Sequence, residues 1–231
     1  MTLIAALRSH GAIILAADSR GTVGDPRGLT AINDTQEKIY RLGNCGLGLA
    51  GASEMGAVLL DELHKKGIDR IGNIDALVAL VVKECGENFN QWFQGISPGQ
   101  RPAVLLSLAG YRFADGEEPK PMIYMLNSQL NFAPQLFNNA PCLIGVPQYA
   151  VYLVHRYYDL SISTEKAKAL AVYLISETAS QDPKVGGPIK VAVISPQEGY
   201  QELSQDDVNQ IMKSNEELNV ELRQFFQKGE I

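Results

Sequence analysis

Residues 2–20 have the sequence TLIAALRSHGAIILAADSR, which contains two apolar runs separated by a short polar break. The first run covers residues 2–8, the second covers residues 12–18, and the break between them contains Gly11. Two apolar runs joined by a short turn that contains glycine are typical of a β-hairpin. The chain is therefore predicted to begin with a pair of antiparallel strands.

Further blocks of strands and helices follow this hairpin. A second strand pair is predicted over residues 38–42 and 45–51, whereas residues 19–37, rich in Gly, Asp, Asn and Thr, predict a long loop. Apolar residues at three- and four-residue spacing predict helices, and further apolar runs predict strands. The predicted helices cover 55–67, 73–92, 148–158, 164–180 and 205–228, and the later strands cover 103–108, 121–126, 142–146, 189–195 and 200–203.

This order of elements decides between fold classes. Strands that come in blocks do not fit the strict alternation of strand and helix in a parallel dinucleotide-binding sheet. Two sheets packed face to face, with helix pairs on the outer sides, would bury the apolar faces of all these elements. We therefore expect residues 1–231 to form a single α/β (α+β) domain with a four-layer αββα architecture.

Residues 46–51, GLGLAG, match the G-x-G-x-x-G pattern of dinucleotide-binding loops. In such a loop the glycines form the turn between a strand and a helix, and an acidic residue follows ~20 residues later at the end of the next strand. Here the apolar residues between the glycines belong to a predicted strand, and a predicted helix occupies the later region. We set the nucleotide interpretation aside and expect these glycines to allow a close backbone approach.

Composition and charge argue against several function classes. The 231-residue chain has a net charge of −6, which argues against a nucleic-acid partner, and no run reaches the ~20 apolar residues that a membrane span needs. The first residues show neither a basic leader nor a secretory cleavage pattern. Cys45, Cys85 and Cys142 are widely separated and odd in number, which indicates reduced thiols in the cytoplasm. No metal or cofactor is expected.

Thr2 follows the initiator methionine directly, and a small residue at this place normally permits removal of Met1. The chain would then begin with Thr2, which carries a hydroxyl and a free α-amine on one residue. A hydroxyl needs a nearby base to act as a nucleophile, and an α-amine that titrates near ~7.7–8 can accept its proton. Thr2 would thus supply nucleophile and base together. Many cytosolic proteins begin with Met-Thr, so this start taken alone favours an ordinary first strand over a nucleophile.

Several short motifs occur in an order that resembles proteasome β-subunits and their bacterial ring-protease relatives, which are amino-terminal-nucleophile hydrolases. The motifs are residues 2–5, 14–20, 37–42 and 48–51, and the likeness returns at 182–187. It is strongest over residues 2–66 and spans nearly the whole chain. The fold implied by this resemblance is the αββα sandwich that the order of elements predicts independently.

The resemblance implies roles for individual residues. Thr2 stands at the position of the nucleophile, Asp18 at that of a carboxylate that pairs with lysine, and Lys38 at that of the lysine. A cation beside the hydroxyl favours its deprotonated form, and the carboxylate holds the cation in place. Gly51 matches the glycine whose backbone N–H stabilises the oxyanion of the tetrahedral intermediate. Asp182 matches an acid that supports the amino-terminal amine, with an ordinary turn residue as an equal alternative.

The resemblance also implies how a peptide would lie in the site. The main chain of Thr22 would pair with an extended peptide, which is a form of strand addition. Leu49 and Ser53 are expected to line the pocket for a substrate side chain, with a preference for apolar over basic side chains. Two serines of the active family members are missing, because Ile144 and Val185 stand near their positions. Their loss motivates the alternative of a non-catalytic subunit.

The function expected from these features is that of a cytoplasmic threonine-type endopeptidase. The resemblance implies that its copies associate into stacked rings of six or seven around an inner chamber. The substrate would be a peptide or an unfolded chain, supplied by an ATP-dependent unfoldase, with neither nucleic acid nor membrane as a partner. Two alternatives stay open: a non-catalytic ring or scaffold subunit, and an amidohydrolase or acyltransferase that acts on a small molecule.

Overall fold

A computed structural model describes residues 2–24, 30–137 and 139–227. Within these ranges the chain forms blocks of strands and helices. The strands are β1 (Leu3–Arg8), β2 (Ile13–Ala17), β3 (Gly21–Gly24), β4 (Thr30–Asn33), β5 (Ile39–Leu42), β6 (Cys45–Gly51), β7 (Val104–Arg112), β8 (Lys120–Asn127), β9 (Gln135–Leu136), β10 (Cys142–Gly145), β11 (Lys190–Ser195) and β12 (Gly199–Glu202). The helices are α1 (Ser53–Lys65), α2 (Ile74–Trp92), α3 (Gln148–Tyr157), α4 (Thr164–Gln181) and α5 (Gln205–Gln227).

The strands form two five-stranded sheets and a separate hairpin. The first sheet has the order β10-β1-β2-β11-β12, the second has the order β5-β6-β7-β8-β9, and β3 pairs with β4. The hairpin predicted from the first residues is present, with Ile4 opposite Ala17 and Leu7 opposite Ile14. The second predicted pair is also present, because β5 and β6 are antiparallel neighbours in the second sheet.

The two sheets pack face to face, and each carries helices on its outer side. The central core contains Ile4, Leu15 and Ile194 from the first sheet together with Ala109 and Ile123 from the second. A second core joins the second sheet to α1 and α2. A third core joins the first sheet to α3, α4 and the start of α5. The fold is therefore a mixed α+β, four-layer αββα sandwich, as the order of elements predicts.

Local signals in the sequence account for the helix ends. The Asn73 side chain caps α2 by accepting a hydrogen bond from the Asp75 N–H at 3.0 Å. Ser163 caps α4 in the same way, by accepting from the Lys166 N–H at 3.4 Å. Shortly after α1, Gly67 adopts a positive φ of 76°, which ends the helical path. No helix in the described ranges is long and apolar enough to cross a lipid bilayer.

The glycines of the G-x-G-x-x-G motif lie within β6 and permit close packing of the two sheets. A Cβ added to Gly46 would lie 2.8 Å from Ile194 Cδ1, and a Cβ added to Gly48 would lie 2.8 Å from Ile4 Cγ2. Both separations are well below the ~3.5–4.0 Å of favourable carbon–carbon contact. The motif is therefore part of a strand at the sheet interface, in agreement with the expected close approach.

Two regions differ from the expected pattern because their strands are very short. The sequence predicts a loop over residues 19–37, yet β3 and β4 pair there, with Thr22 opposite Ile32. A strand of four residues with glycine at its ends has too few apolar positions to show an alternating pattern. The two-residue strand β9 is missed for the same reason. Residues 25–29 of the predicted loop lie outside the described residues.

We expect that replacing Gly48 with alanine lowers the free energy of unfolding by about 1–3 kcal/mol, because the added methyl group must displace the Ile4 side chain in a packed core. Gly86→Ala is the matched control. Gly86 lies in α2 with nothing within 4 Å of an added Cβ, so alanine should stabilise the helix by about 0.5–1 kcal/mol. Urea unfolding at a fixed protein concentration measures both changes. Equal midpoints for the two variants would contradict this explanation of the glycines.

Candidate active site

Thr2 lies directly before β1, and hydrogen bonds hold the backbone on both sides of its side chain. Its carbonyl oxygen accepts a hydrogen bond from the Val146 N–H at 2.8 Å. The next backbone N–H, that of Leu3, donates to Asp18 Oδ1 at 3.0 Å. Thr2 is 8% exposed, so the packed fold fixes where the residue lies. Met1, whose removal is expected from the sequence, lies outside the described residues.

Asp18 follows β2 directly and connects several elements through one buried carboxylate. Oδ1 accepts hydrogen bonds from the Leu3 N–H and from Lys38 Nζ. Oδ2 accepts hydrogen bonds from the Arg20 N–H at 3.2 Å and from the Gly186 N–H at 3.0 Å. A buried carboxylate needs such donors because its removal from water is costly. The sequence-predicted Asp18 therefore joins β1, the segment before β5 and the loop after α4.

Lys38 precedes β5 and brings a positive charge to Asp18. Its Nζ donates to Asp18 Oδ1 at 2.8 Å and to the Arg20 carbonyl oxygen at 2.7 Å. The side chains of Lys38 and Asp18 are 2% and 0% exposed. Burial lowers the pKa of the Lys38 ammonium, whereas the Asp18 charge acts in the opposite direction. The predicted lysine–aspartate pair is therefore formed inside the protein. It is linked to the backbone next to Thr2, because the Leu3 N–H donates to Asp18.

Arg20 and Asp34 form a second ion pair next to the first. Arg20 Nε donates to Asp34 Oδ1 at 2.7 Å, and Nη2 donates to Oδ2 at 2.9 Å, which gives bidentate geometry. Arg20 Nη1 also donates to the Pro183 carbonyl oxygen at 3.0 Å. The hydrogen bonds from Arg20 lower the pKa of the Asp34 carboxyl. Arg20 therefore ties the segment after β2 to the segment after β4 and to the loop after α4.

Thr2 lines a cavity that is open to solvent, and the volume of about 370 Å³ includes part of that solvent. The residues that line this Thr2 cavity are Thr2, Thr22, Gln36, Glu37, Leu49, Ala50, Gly51 and Ser53. A larger cleft, of about 1070 Å³ together with adjoining solvent, shares some of these residues and extends along the β3–β4 hairpin and the start of α1. Several residues singled out in the sequence, from separate parts of the chain, therefore meet at one opening.

Gly51 ends β6 in a backbone conformation that residues with a side chain rarely adopt. Its φ is +98°, and a Cβ at this position would collide with the Ala103 carbonyl oxygen. Helix α1 begins at Ser53, so the strand turns into the helix at the wall of the Thr2 cavity. The amino end of a helix carries a partial positive charge, which favours a negatively charged group nearby.

Asp182 lies in the turn that follows α4. Its Oδ1 accepts a hydrogen bond from the Lys184 N–H at 2.9 Å, and its carbonyl oxygen accepts one from the Val185 N–H at 3.0 Å. These contacts favour the interpretation of Asp182 as a turn residue. The same loop reaches the site through Gly186, whose N–H donates to Asp18.

The structure adds residues that the sequence does not single out. Gln36 and Glu37 line the Thr2 cavity, and Gly186 binds Asp18 through its backbone. Glu37 opens the motif at 37–42 but has no expected role there, and only the tertiary fold reveals that it and Gln36 line the same opening as Thr2. For Gly186, the sequence offers only its place in the motif at 182–187, which does not predict the contact with Asp18.

Apolar residues occupy the positions where the resemblance implies serines. Ile144 and Val185 are both buried and belong to the apolar cores, so neither supplies a hydroxyl to the site. Within residues 2–24, 30–137 and 139–227, no group of three or more His, Cys, Asp and Glu side chains could hold a metal ion. The residues that line the opening include three with hydroxyls, Thr2, Thr22 and Ser53, and the amide next to Thr2 is bound to the buried Asp18–Lys38 pair.

Comparisons with known proteins place this architecture among solved structures. No family model and no curated protein matches the chain. An Anbu (Gly-1) mutant from Hyphomicrobium sp. strain MC1 is 18% identical with a TM-score of 0.76, over 100% of this chain and 99% of that chain. Anbu (ancestral beta-subunit) from Yersinia bercovieri is 18% identical with a TM-score of 0.75, over 97% and 96%. The helical assembly of the Anbu complex from Pseudomonas aeruginosa is 17% identical with a TM-score of 0.77, over 99% and 97%.

These similarities correct the family suggested by the sequence motifs. The three solved structures described above are Anbu proteins, which are related to proteasome β-subunits but form a distinct family. The assignment to the proteasome β-subunit family is therefore wrong. The motifs do not distinguish the two families, because they describe strand ends and turns that relatives with the same fold share. At 17–18% identity the similarity itself shows the fold alone.

Replacing Lys38 with methionine should lower the free energy of unfolding by about 3–5 kcal/mol, because it leaves the Asp18 carboxylate buried without its cation. Lys120→Met is the matched control, since Lys120 pairs with Glu117 on the surface and an exposed pair contributes only about 0.2–1 kcal/mol. Urea unfolding at one protein concentration gives both values. A loss for Lys38→Met as small as that of the control would show that the buried pair does not hold the site together.

Proposed function

We propose that the chain is a threonine-type endopeptidase with Thr2 as its nucleophile, and that it works as a subunit of a self-associating assembly. The observation that carries this proposal is that Thr2 faces a cavity while the amide next to it is bound to the buried Asp18–Lys38 pair. The αββα fold shared with Anbu proteins supports it.

The first step uses the two functional groups of Thr2. Removal of Met1 leaves a free α-amine, which titrates near ~7.7–8 and is partly neutral at cellular pH. This amine takes the proton of Oγ1, directly or through a water molecule, while Oγ1 forms a bond to the substrate carbonyl carbon. Lys38 supplies a fixed positive charge that favours the ionised hydroxyl, and Asp18 positions Lys38.

The tetrahedral intermediate then carries a negative charge on the former carbonyl oxygen. The proposed donor to this oxyanion is the backbone N–H of Gly51, close to the amino end of α1. When the intermediate collapses, the carbon–nitrogen bond breaks and the leaving amine takes the proton held by the α-amine. Water next hydrolyses the ester on Thr2, which releases the acid product and restores the hydroxyl.

A peptide substrate is proposed to lie in the cleft between β3 and the start of α1. The main chain of Thr22, in β3, would pair with the extended peptide. Leu49 and Ser53 would contact the substrate side chain next to the scissile bond. Asp182 is proposed as a positioning residue, because it closes the turn of the loop that contacts Asp18.

Self-association is the second part of the proposal. One of the structurally similar proteins is described as a helical assembly. In this chain, exposed apolar side chains on α3 and α5 support self-association. Tyr152, Phe225 and Phe226 are 62%, 74% and 79% exposed. Exposed apolar surface of this kind marks interaction sites. We propose an array that encloses Thr2, for which stacked rings of six or seven subunits are one form. Enclosure, with an ATP-dependent unfoldase supplying unfolded chains, would protect the cell from an open peptidase.

The proposal treats residues 1–231 as one hydrolase domain in the cytoplasm. The αββα layers share strands between adjacent cores, which supports one packing unit over the described ranges. Cys45, Cys85 and Cys142 are free and buried, and burial raises the pKa of each thiol to about 12. Thiols held in this state are unreactive, which fits a reducing compartment.

We expect a peptidyl electrophile selective for amino-terminal threonine to add one equivalent to the purified protein, with the adduct on Thr2 and Met1 absent by intact mass. Thr2→Ala should lose both the adduct and peptide cleavage, because it removes the attacking oxygen. Thr2→Ser retains a hydroxyl and should keep measurable reaction. Retention of Met1, or unchanged cleavage by Thr2→Ala, would overturn the peptidase proposal, and retained Met1 would favour a non-catalytic scaffold.

The assembly is tested by the molar mass in solution. Light scattering after size-exclusion chromatography should give a mass many times the 25.2 kDa of one chain. The mass should not fall in the Thr2→Ala variant, since self-association uses surfaces away from the nucleophile. A monomer or dimer at micromolar concentration would contradict the assembly and favour an amidohydrolase or acyltransferase with a small-molecule substrate.

A further inference from the structure

The backbone of Arg20 contacts both members of the buried Lys38–Asp18 pair. Its N–H donates to Asp18 Oδ2 at 3.2 Å, and its carbonyl oxygen accepts a hydrogen bond from Lys38 Nζ at 2.7 Å. Because this carbonyl oxygen and Asp18 Oδ1 both accept from the ammonium, the location of Nζ depends on where the Arg20 backbone lies. A displacement of Arg20 would therefore shift the ammonium relative to the carboxylate that binds the amide next to Thr2.

The side chain of Arg20 anchors this backbone to two other parts of the chain. Asp34 accepts two hydrogen bonds from the guanidinium, at 2.7 and 2.9 Å, and the Pro183 carbonyl oxygen accepts a third at 3.0 Å. Gly186 leaves room for the guanidinium, because a Cβ there would lie 2.7 Å from Arg20 Cζ. A bidentate pair of arginine and carboxylate fixes the orientation of the side chain as well as its distance. The position of Arg20 is thus determined by groups outside the Lys38–Asp18 pair.

Arg20 and Asp34 lie at the base of the β3–β4 hairpin. Arg20 directly precedes β3, and Asp34 directly follows β4. The hairpin lines the cleft in which a peptide is proposed to lie, but neither Arg20 nor Asp34 is among the described residues that line this cleft or the Thr2 cavity. An effect of this ion pair on the reaction must therefore pass through other groups of the protein.

Position and charge give different expectations for such an effect. Burial lowers the pKa of the Lys38 ammonium and the Asp18 charge raises it, while Asp34 raises this pKa and Arg20 lowers it. An effect through charge alone would therefore have opposite signs for the loss of Arg20 and the loss of Asp34. An effect through the position of the Arg20 carbonyl oxygen would have the same sign for both losses, because each breaks the same anchor.

We infer that Arg20 and Asp34 are positioning residues for the reaction of Thr2, and that they act by holding the Arg20 carbonyl oxygen against Lys38 Nζ. This inference rests on the proposed peptidase function. A misplacement of about 1 Å at a reacting centre can lower a rate about a hundredfold. The two side chains are 23% and 38% exposed, and an exposed ion pair contributes little to stability. Loss of the pair should therefore slow the reaction while the protein stays folded.

The experiment measures how fast a peptidyl electrophile modifies Thr2, by intact mass spectrometry at one pH and over a range of probe concentrations. Arg20→Met and Asp34→Asn should each lower the maximal rate about tenfold. The probe concentration that gives half the maximal rate should change less than about twofold, because neither side chain lines the cavity or the cleft. Both variants should still reach one adduct per chain at long times, which a partly unfolded protein would not.

Arg112→Met and Asp75→Asn are the matched controls. Arg112, at the end of β7, and Asp75, in the first turn of α2, form a second bidentate pair, and their side chains are 39% and 42% exposed. This pair has the same chemistry and a similar exposure, but it has no contact with Lys38 or Asp18 among the described residues. Both control variants should keep the maximal rate of the wild-type protein.

The outcomes separate this inference from the peptidase proposal. A wild-type maximal rate in either Arg20→Met or Asp34→Asn, or rate changes of opposite sign, would overturn the inference and leave the peptidase proposal standing. An increase only in the half-maximal probe concentration would do the same, because it would show that the pair merely holds the hairpin. Asp34→Asn is isosteric and tests the pair alone if Arg20→Met does not fold. Failure of the probe to modify Thr2 in the wild-type protein would overturn both proposals.

Discussion

The buried ion pair between Lys38 and Asp18 is the interaction on which the site depends. Two charges removed from water are stable only when their remaining hydrogen-bonding capacity is met. Asp18 meets this requirement with backbone N–H groups from Leu3, Arg20 and Gly186, and Lys38 meets part of it with the Arg20 carbonyl oxygen. These partners belong to β1, to the segment after β2 and to the loop after α4. Satisfying one carboxylate and one ammonium therefore fixes the start of β1 relative to both sheets.

The packing of the two sheets determines what faces Thr2. β6 lies against the first sheet because Gly46 and Gly48 leave room for Ile194 and Ile4. β6 ends at Gly51, and β1 begins just after Thr2. Close packing between these strands thus brings the end of one to the start of the other. The same cavity would not form if larger side chains held the sheets apart, so the glycines influence the site although they are not part of its chemistry.

Local patterns in the sequence predict most of this architecture, and they fail where structure depends on distant contacts. The hairpin of β1 and β2 and the caps at Asn73 and Ser163 follow from signals within a few residues. The β3–β4 hairpin is missed because its strands are too short to show a period. Thr2 and the lysine–aspartate pair are found through their place in a motif, whereas Gln36, which lines the same opening, has no local signal. The family assignment fails because related families share the strand ends that the motifs describe.

Glu37 and Lys38 are neighbours in the chain, yet one side chain is exposed and the other is buried. In extended backbone, successive side chains point to opposite sides, and these two residues lead directly into β5. The alternation of side chains therefore sends the lysine to Asp18 and the glutamate to the opposite side of the segment, where it is exposed. A slip of one residue in the pairing of β5 with β6 would exchange them, burying an acid beside Asp18 and exposing the cation. The backbone bond from Leu49 N–H to the Lys38 carbonyl, at 2.8 Å, holds this register. Two adjacent charges are separated in this way, so that only the lysine reaches the carboxylate that holds the start of β1.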